Sequence, residues 1–387
     1  MMTDNHDFQK FLENDQIILP ILKQKEKYKV QIIYTQINRD QENKPQFKKF
    51  EFNLNDNAYF YPASTVKFPL TILALQKLNE LKNKGIHRKT TINFGTGFSG
   101  QTETISEPQA ENGKPTIENY IKQILLMSDN SSYNRLYEFL GQDYINTEIH
   151  KKGYNQTQIH HRLEVFLSDE ENAATNPVKF LDDKGNMIYS EPLKISKFPF
   201  KKRNDYVGKA YYKGGKLIDE PMDFSNKNKM PLSEFHLMVQ NLIFPSDKSF
   251  NITSDDRNVL LKYMSMFPSE SRFPTYGENE HDAIAKFLFY GAEKGKKPNH
   301  IRIFNKIGDA YGQLTDTVYF VDFEKNVEFL LSATIYCNED ETLNDDKYDY
   351  ETIGFPFMKR LGEIIYEYEA SRTKQYRPDL SEFKFDY

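Results

Sequence analysis

Tryptophan is absent from the 387 residues, and cysteine occurs once, at Cys337. A single thiol excludes an intramolecular disulfide and cannot build a zinc site by itself. Its default place is a small buried apolar position. No apolar run approaches the ~18 residues a membrane-spanning helix needs, and the mean hydropathy of -0.72 agrees. Charges nearly balance, 56 acidic against 51 basic for a formal net of -5, which argues against a dedicated nucleic-acid binder. A Gly-rich phosphate loop, an internal repeat and a low-complexity tract are also missing. The N-terminal residues are acidic and polar, and the first apolar cluster, Ile17 to Leu19, is cut by Pro20, so no signal peptide is legible.

What is present is core material. Thirty Phe and 25 Tyr stand within a 38% hydrophobic composition, which excludes global disorder. The length suits one large domain or two smaller ones of ~100–200 residues each. Residues 8–23 carry a loose helical stripe, after which Tyr28, Val30, Ile32 and Tyr34 alternate as a half-buried strand does. A second strand is expected over 47–54, a long helix from Ser64 to Gly85, and two helices over 116–140 that meet near Ser128. Further helices are expected over 231–245, 254–267 and 281–293, then strands over 301–307, 314–323 and 327–337, and a helix over 351–371. Strands from both chain ends around a helical block predict an α+β fold, one antiparallel sheet with helices on its faces. Residues 178–230 have turn signals and few helical ones, and read as an inserted set of β-hairpins. Between 194 and 216 they hold eight Lys and Arg against Asp205 alone. That is either a solvated hairpin face or a dock for an anionic polymer or envelope surface.

The chemistry should begin at Ser64-Thr65-Val66-Lys67. Positions three apart on a helix share a face, so the Lys67 amine can lie beside the Ser64 hydroxyl. A helix start also offers unpaired N–H groups and a positive dipole end to a developing oxyanion. Together these are a nucleophile and a base that desolvation can make neutral. The competing assignment for a serine there is a plain N-cap. The same four-residue pattern at Ser371–Lys374 and Ser381–Lys384 falls in a polar tail and reads as surface. His150, His160 and His161 do not make a metal site, since adjacent histidines point apart and no spaced acid accompanies them.

Ser128-Asp129-Asn130 occurs once, and Lys306-Ile307-Gly308 sits on a late strand. A serine–lysine pair, then Ser-Asp-Asn, then Lys-x-Gly resembles the motif set of class A β-lactamases and related penicillin-recognising serine hydrolases. Arg162-Leu163-Glu164-Val165-Phe166-Leu167-Ser168 resembles their Arg-x-Glu-x-x-Leu-Asn loop, and Thr175-Asn176-Pro177 its end. The resemblance covers roughly 8–177 and 231–370. It implies the serine β-lactamase/DD-peptidase fold: an α/β lobe from residues 1–60 and 231–387, a mainly helical lobe over 61–177, and 178–230 inserted. By resemblance Ser64 attacks an amide carbonyl, and Lys67, or Glu164 through water, takes its proton. Ser128 relays a proton to the leaving nitrogen beside Lys306, and Asn130 binds the substrate's side-chain amide. Gly308 and Asp309 contribute to substrate binding, with the N–H groups of Ser64 and Asp309 as the oxyanion hole. Glu164 activates the deacylating water.

Three departures stand out. Ile307 replaces a Thr or Ser whose hydroxyl helps hold the substrate carboxylate; Arg302 shares strand parity with Lys306 and is a possible substitute. Ser168 stands where an Asn helps hold the water. Arg162 lacks an obvious salt-bridge partner, with Asp169, Glu170 and Glu171 as candidates. The expected activity is β-lactam hydrolysis through a Ser64 acyl-enzyme, with no cofactor and no metal. The alternatives are a D-alanyl-D-alanine carboxypeptidase, another amide or ester hydrolase, or a penicillin-binding sensor that does not turn over. The expected partner is a small β-lactam or a peptidoglycan-stem-like substrate, with no nucleic acid and no membrane span, and the chain is expected to be a monomer. Such substrates imply a periplasmic or secreted location, a leader being absent from this sequence; a cytoplasmic one stays open.

Overall fold

The computed structural model describes residues 2–387. The chain divides into two compact units. One holds the residues up to Thr65, Arg203–Ser246 and His281–Asp386; the other holds Val66–Lys202, Asp247–Glu280 and Tyr387.

The first unit is built on a five-stranded antiparallel sheet. Its strands are β1 (Gln31–Arg39), β2 (Pro45–Phe52), β3 (Ile301–Ala310), β4 (Gln313–Asp322) and β5 (Val327–Tyr336), in the order β3-β4-β5-β1-β2. β3 is therefore an edge strand. Successive side chains point to opposite faces. One face carries Ile32, Ile303, Ile307, Leu314, Val318, Leu331 and Ile335 into the apolar core. There α1 (Asn5–Glu13) contributes Phe8 and Leu12, and the C-terminal helix Phe355–Ser371 contributes Met358, Leu361 and Ile365. On the opposite face lies a helix, Leu232–Ile243, whose His236 ring joins Thr35 Oγ1 at 2.9 Å and Ser332 Oγ at 2.7 Å. Complete burial pushes the His236 pKa down to about 3, so it works as a neutral bridge between helix and sheet.

The expected helix over 281–293 is not formed; the segment runs as successive turns. Its polar groups are captured by the sheet instead. The N–H groups of Phe287 and Leu288 both donate to Asp316 Oδ2 at 3.0 Å. Asn305 Nδ2 bridges Ala285 O and Asp316 Oδ1 at 2.9 Å each, and Lys286 Nζ reaches Ile303 O and Asn305 Oδ1 at 2.9 Å each. Gly362 explains the tight seat: a Cβ there would lie 2.3 Å from Phe289 N. Tertiary hydrogen bonds thus override a helical apolar pattern.

The second unit is mainly helical. Its elements include α2 (Lys67–Glu80), α3 (Ile117–Met127), α4 (Asn130–Leu140) and a helix over Ser254–Ser265. That last helix was expected with the sheet. Ion pairs tie it here: Arg88 meets Glu118 at 2.8 Å and Asp256 at 3.0 Å, and Tyr263 donates to Glu118 at 2.9 Å.

Residues 178–230 form short antiparallel pairs, Val178–Leu181 with Met187–Glu191 and Ala210–Lys213 with Lys216–Ile218 among them. They do not form one body, because the division between units falls at Lys202/Arg203. The basic run is likewise divided and partly neutralised. Lys194 pairs with Glu191 at 2.7 Å, Lys209 with Glu341, and Arg203 lies 3.1 Å from Asp205 while donating to the carbonyls of Phe224, Ser225 and Lys227. No helix among the described residues is long and apolar enough to cross a membrane.

Candidate functional site

The predicted site residues are divided between the two units. In the first, the chain from Tyr59 to Pro62 is irregular and enters a 3-10 turn, Ala63–Val66, that runs straight into α2. The helix proper begins at Lys67, not at Ser64. Val66 holds the N-cap position with no side-chain cap bond, so Ser64 is not an N-cap serine. Ser64 is half-buried. Ala63 before it has φ 47, a left-handed conformation that costs a non-glycine residue of order 1–3 kcal/mol. The turn is closed by Thr65, whose N–H and Oγ1 both donate to Pro62 O, at 3.1 and 2.6 Å.

β3 packs directly on that turn. A Cβ on Gly308 would lie 2.6 Å from Pro62 O and 3.0 Å from Thr65 N, so only glycine permits the approach. The contact brings Lys306-Ile307-Gly308-Asp309 beside the Ser64 turn. Lys306 is buried and its ammonium donates to Ile307 O at 2.7 Å. Ile307 turns to the opposite face, into the apolar core. Asp309, next along the strand, is exposed.

In the second unit Lys67 is wholly buried, and its ammonium donates to the Ser128 carbonyl and, at 3.3 Å, to Ser128 Oγ. Ser128 ends α3 in the left-handed conformation, φ 60. Asp129 then caps α4, its carboxylate accepting from Ser132 N at 2.6 Å. Asn130, first residue of α4, is half-buried.

Along α4 the face that begins at Asn130 continues, at steps of four, with Asn134 and Glu138. These hold the loop that carries Glu164. Asn134 clamps Leu163 from both sides, Nδ2 to Leu163 O at 2.9 Å and Leu163 N to Oδ1 at 2.8 Å. Tyr133 and Tyr137 donate to the carbonyls of His161 and His160 at 3.1 and 2.9 Å. The partner of Arg162 is Glu138, at 3.0 Å, and not an acid of its own loop; from Glu171 it takes only the backbone carbonyl, also at 3.0 Å. Arg162 Nη2 also reaches Ala174 O at 2.9 Å and Asn176 Oδ1 at 3.2 Å. Asn134 and Glu138 were not singled out from the sequence, although their four-residue spacing from Asn130 was there to find.

Glu164 itself has φ 54 and an exposed side chain, followed by exposed Val165 and Phe166. Ser168 caps the short helix Asp169–Ala173, accepting from Glu171 N at 3.2 Å while its own N–H donates to Glu171 Oε2 at 2.8 Å. The histidines have separate partners: His150 bonds Thr157 O, His160 bonds Gln158 and stacks on Phe200, and His161 bonds Arg162 O. Among the described residues the one grouping at metal-ligand spacing is Asp4, His6 and Asp7, at the surface.

Residues 15–192, just under half of the chain, match the β-lactamase enzyme family. The matched stretch contains Ser64, Lys67, Ser128 and Glu164; Lys306 lies beyond it. Solved structures of similar fold include a β-lactamase from Xanthomonas campestris pv. campestris, 11% identical, with a TM-score of 0.50 over 91% of this chain and 98% of that one. Others are a β-lactamase from Sphaerobacter thermophilus (13%, TM-score 0.47, 90% and 96% covered) and one from a halotolerant bacterium (18%, 0.46, 89% and 98%). No curated protein matches in sequence. At these identities the likeness is one of fold, the α+β architecture of the serine β-lactamase and DD-peptidase group. The first unit holds Ser64 and Lys306-Ile307-Gly308, and the second holds Lys67, Ser128-Asp129-Asn130 and Glu164.

Proposed function

We propose that the chain is a serine hydrolase that opens an amide, and by preference a β-lactam, through a Ser64 acyl-enzyme. The observation that carries this reading is the wholly buried Lys67 ammonium set on the Ser128 carbonyl and near its hydroxyl. A lysine amine held within reach of a serine hydroxyl can pass a proton to and from it, which acyl transfer to and from nitrogen needs.

Ser64 Oγ attacks the carbonyl carbon, and its proton passes to Lys67, or to Glu164 through water. The tetrahedral oxyanion is received by the N–H groups of Ser64 and Asp309, where loss of one donor typically costs ~10²–10³ in rate. Ser128 then delivers the proton to the leaving nitrogen, Lys306 lowers the charge cost of that transfer, and Asn130 orients the side-chain amide. Water activated by Glu164 attacks the ester carbonyl and releases Ser64. Acid–base assistance of this sort contributes ~10²–10⁴.

A second reading is favoured by two particulars. Ile307 is committed to the core and supplies no hydroxyl, and Glu164 points to solvent. A D-alanyl-D-alanine carboxypeptidase, or a penicillin-binding sensor that acylates and stays acylated, fits those better. Periplasmic or secreted location and a monomeric state belong to the same proposal. Time-resolved intact mass with a penicillin and a chromogenic cephalosporin, with Ser64→Ala as control, separates the readings. Rapid Ser64-dependent substrate loss with a transient adduct supports β-lactamase action. A lasting adduct supports the sensor or peptidase, and neither adduct nor loss refutes β-lactams as substrates.

A further inference from the structure

We infer that Phe224 is a positioning residue that sets the separation of the two oxyanion donors, the backbones of Ser64 and Asp309. The inference rests on the acyl-enzyme reading of Ser64 and extends it to a segment, Arg203–Phe224, outside the matched stretch 15–192.

The two donors belong to different pieces of chain. Ser64 follows the irregular lead-in Tyr59–Pro62, which no strand ladder holds. Asp309 precedes the β3–β4 turn at Tyr311-Gly312, where Tyr311 has φ 53 and Gly312 φ 78. Phe224 sits between them and is wholly buried. Its ring centroid lies 5.5 Å from that of Tyr61 on the lead-in and 5.2 Å from that of Tyr311 on the turn, both edge-on. Tyr61 and Tyr311 meet each other edge-on at 5.2 Å, so three rings close a triangle whose corners are the lead-in, the turn and Phe224. Edge-on packing fixes angle as well as distance, which a shapeless apolar contact does not.

The third corner is itself anchored. Phe224 N donates to Asp205 O at 2.8 Å, and the Arg203 guanidinium donates to the carbonyls of Phe224 and Ser225 at 3.2 and 2.8 Å while lying 5.3 Å from the Tyr59 ring. Tyr59 closes the loop by donating to Asn228 O at 3.1 Å. The segment that carries Phe224 thus grips the lead-in at Tyr59 and Tyr61 and the turn at Tyr311. Together with the Gly308 contact on Pro62, this leaves the Ser64 turn little freedom to slide along β3.

The test uses a nitrophenyl phenylacetate and its thiono analogue, in which sulfur replaces the carbonyl oxygen. Sulfur is larger and a poorer hydrogen-bond acceptor, so an aligned donor pair favours the oxygen ester, by on the order of 10² if one donor's worth is lost. In the full chain, Phe224→Leu should lower the oxygen-ester kcat and shrink the oxygen-to-sulfur ratio at least tenfold, with KM little changed. Val207→Ala, in the same apolar cluster but outside the ring triangle, should lower the melting temperature and leave the ratio alone. If Phe224→Leu does not fold, Tyr311→Leu, which removes another corner, carries the same expectation. A ratio within twofold of wild type in the folded ring variant overturns the role of Phe224. Equal ester hydrolysis by wild type and Ser64→Ala overturns the acyl-enzyme reading itself, a distinct result.

Discussion

Replacing Arg162 by Leu should cost about 4 kcal/mol and release the glutamate loop while sparing the serine turn. The guanidinium makes four contacts at 2.9–3.2 Å, to Glu138, Glu171 O, Ala174 O and Asn176. Leucine fills the space but donates nothing. Breaking a buried ion pair by removing one partner typically costs ~3–5 kcal/mol, and orphaned carbonyls add to that. Glu138 keeps Arg135 at 2.7 Å, which sets the estimate in the middle of the range rather than at its top. Against a total stability of ~5–15 kcal/mol the loss is large but survivable. Urea unfolding at pH 7 measures it, and hydrogen exchange should place the loosening in 162–176. The double variant Arg162→Leu/Glu138→Leu should be at least ~1 kcal/mol more stable than the sum of the single losses predicts, because the bond between the two is then counted once and neither is left buried facing the other's vacancy. With the loop loose, Glu164-dependent turnover should fall and Ser64 adduct formation should persist. A loss under ~1 kcal/mol, or strict additivity in the double variant, would refute the view that this pair anchors the loop.

The remaining predictions concern the sheet unit. His236 is held neutral with a pKa of about 3 against an unfolded value near 6.5, so its contribution is present above pH 6.5 and is lost as pH falls toward 3. The loss amounts to ~1.4 kcal/mol by pH 5.5 and ~2.7 by pH 4.5, and His236→Gln should flatten that slope in thermal melts. Burial pushes Asp316 the other way, up to about 6 from 3.8, so the folded state holds the extra proton and stability declines by up to ~3 kcal/mol as pH rises through that window. Asp316→Asn should abolish this decline and itself cost ~1.5–3 kcal/mol at pH 5, since its amide faces the Asn305 Nδ2 donor; an unchanged urea midpoint would contradict that. Gly308→Ala forces a Cβ to 2.6 Å from Pro62 O and should slow Ser64 acylation by ~10²-fold in stopped-flow with modest loss of stability.

Much of the sheet unit could be read from alternation. Strand 327–336 is buried along its whole length and 301–310 up to Gly308, and both are rich in β-branched and aromatic residues, so their signal is strong. Residues 281–293 misled because an apolar pattern does not reveal who will take the backbone hydrogen bonds. Here Asp316 and Asn305, from strands later in the chain, satisfy N–H and C=O groups that a helix would have paired internally. The basic run misled for a related reason. Lysines counted along a chain look like one face, yet Glu341, over a hundred residues away, pairs with Lys209, and the carbonyls of Phe224, Ser225 and Lys227 surround Arg203.

The site shows the same asymmetry between what is local and what is not. Ser64, Lys67, Ser128, Asn130, Glu164 and Lys306 could be proposed because short motifs set residue types over three or four positions. Their supports could not, since Asn134, Glu138, Gly308 and Phe224 act on residues far from them in sequence. Gly308 is the exception that marks the rule: it was legible as part of Lys-x-Gly, but its reason is steric and belongs to Pro62 and Thr65. The same logic bears on Ile307. On a strand whose alternate residues face opposite ways, Lys306 and Gly308 belong to the face toward the serine turn, while Ile307 lies among Leu314, Val318 and Ile335. A hydroxyl introduced there, as in Ile307→Thr, would enter an apolar core before it met a substrate, at a cost of order 1–3 kcal/mol if left unpaired. The substitution should therefore destabilise the sheet without improving capture of a carboxylated substrate. If it instead raised kcat/KM for a penicillin, the strand would have to present that position to the site during turnover.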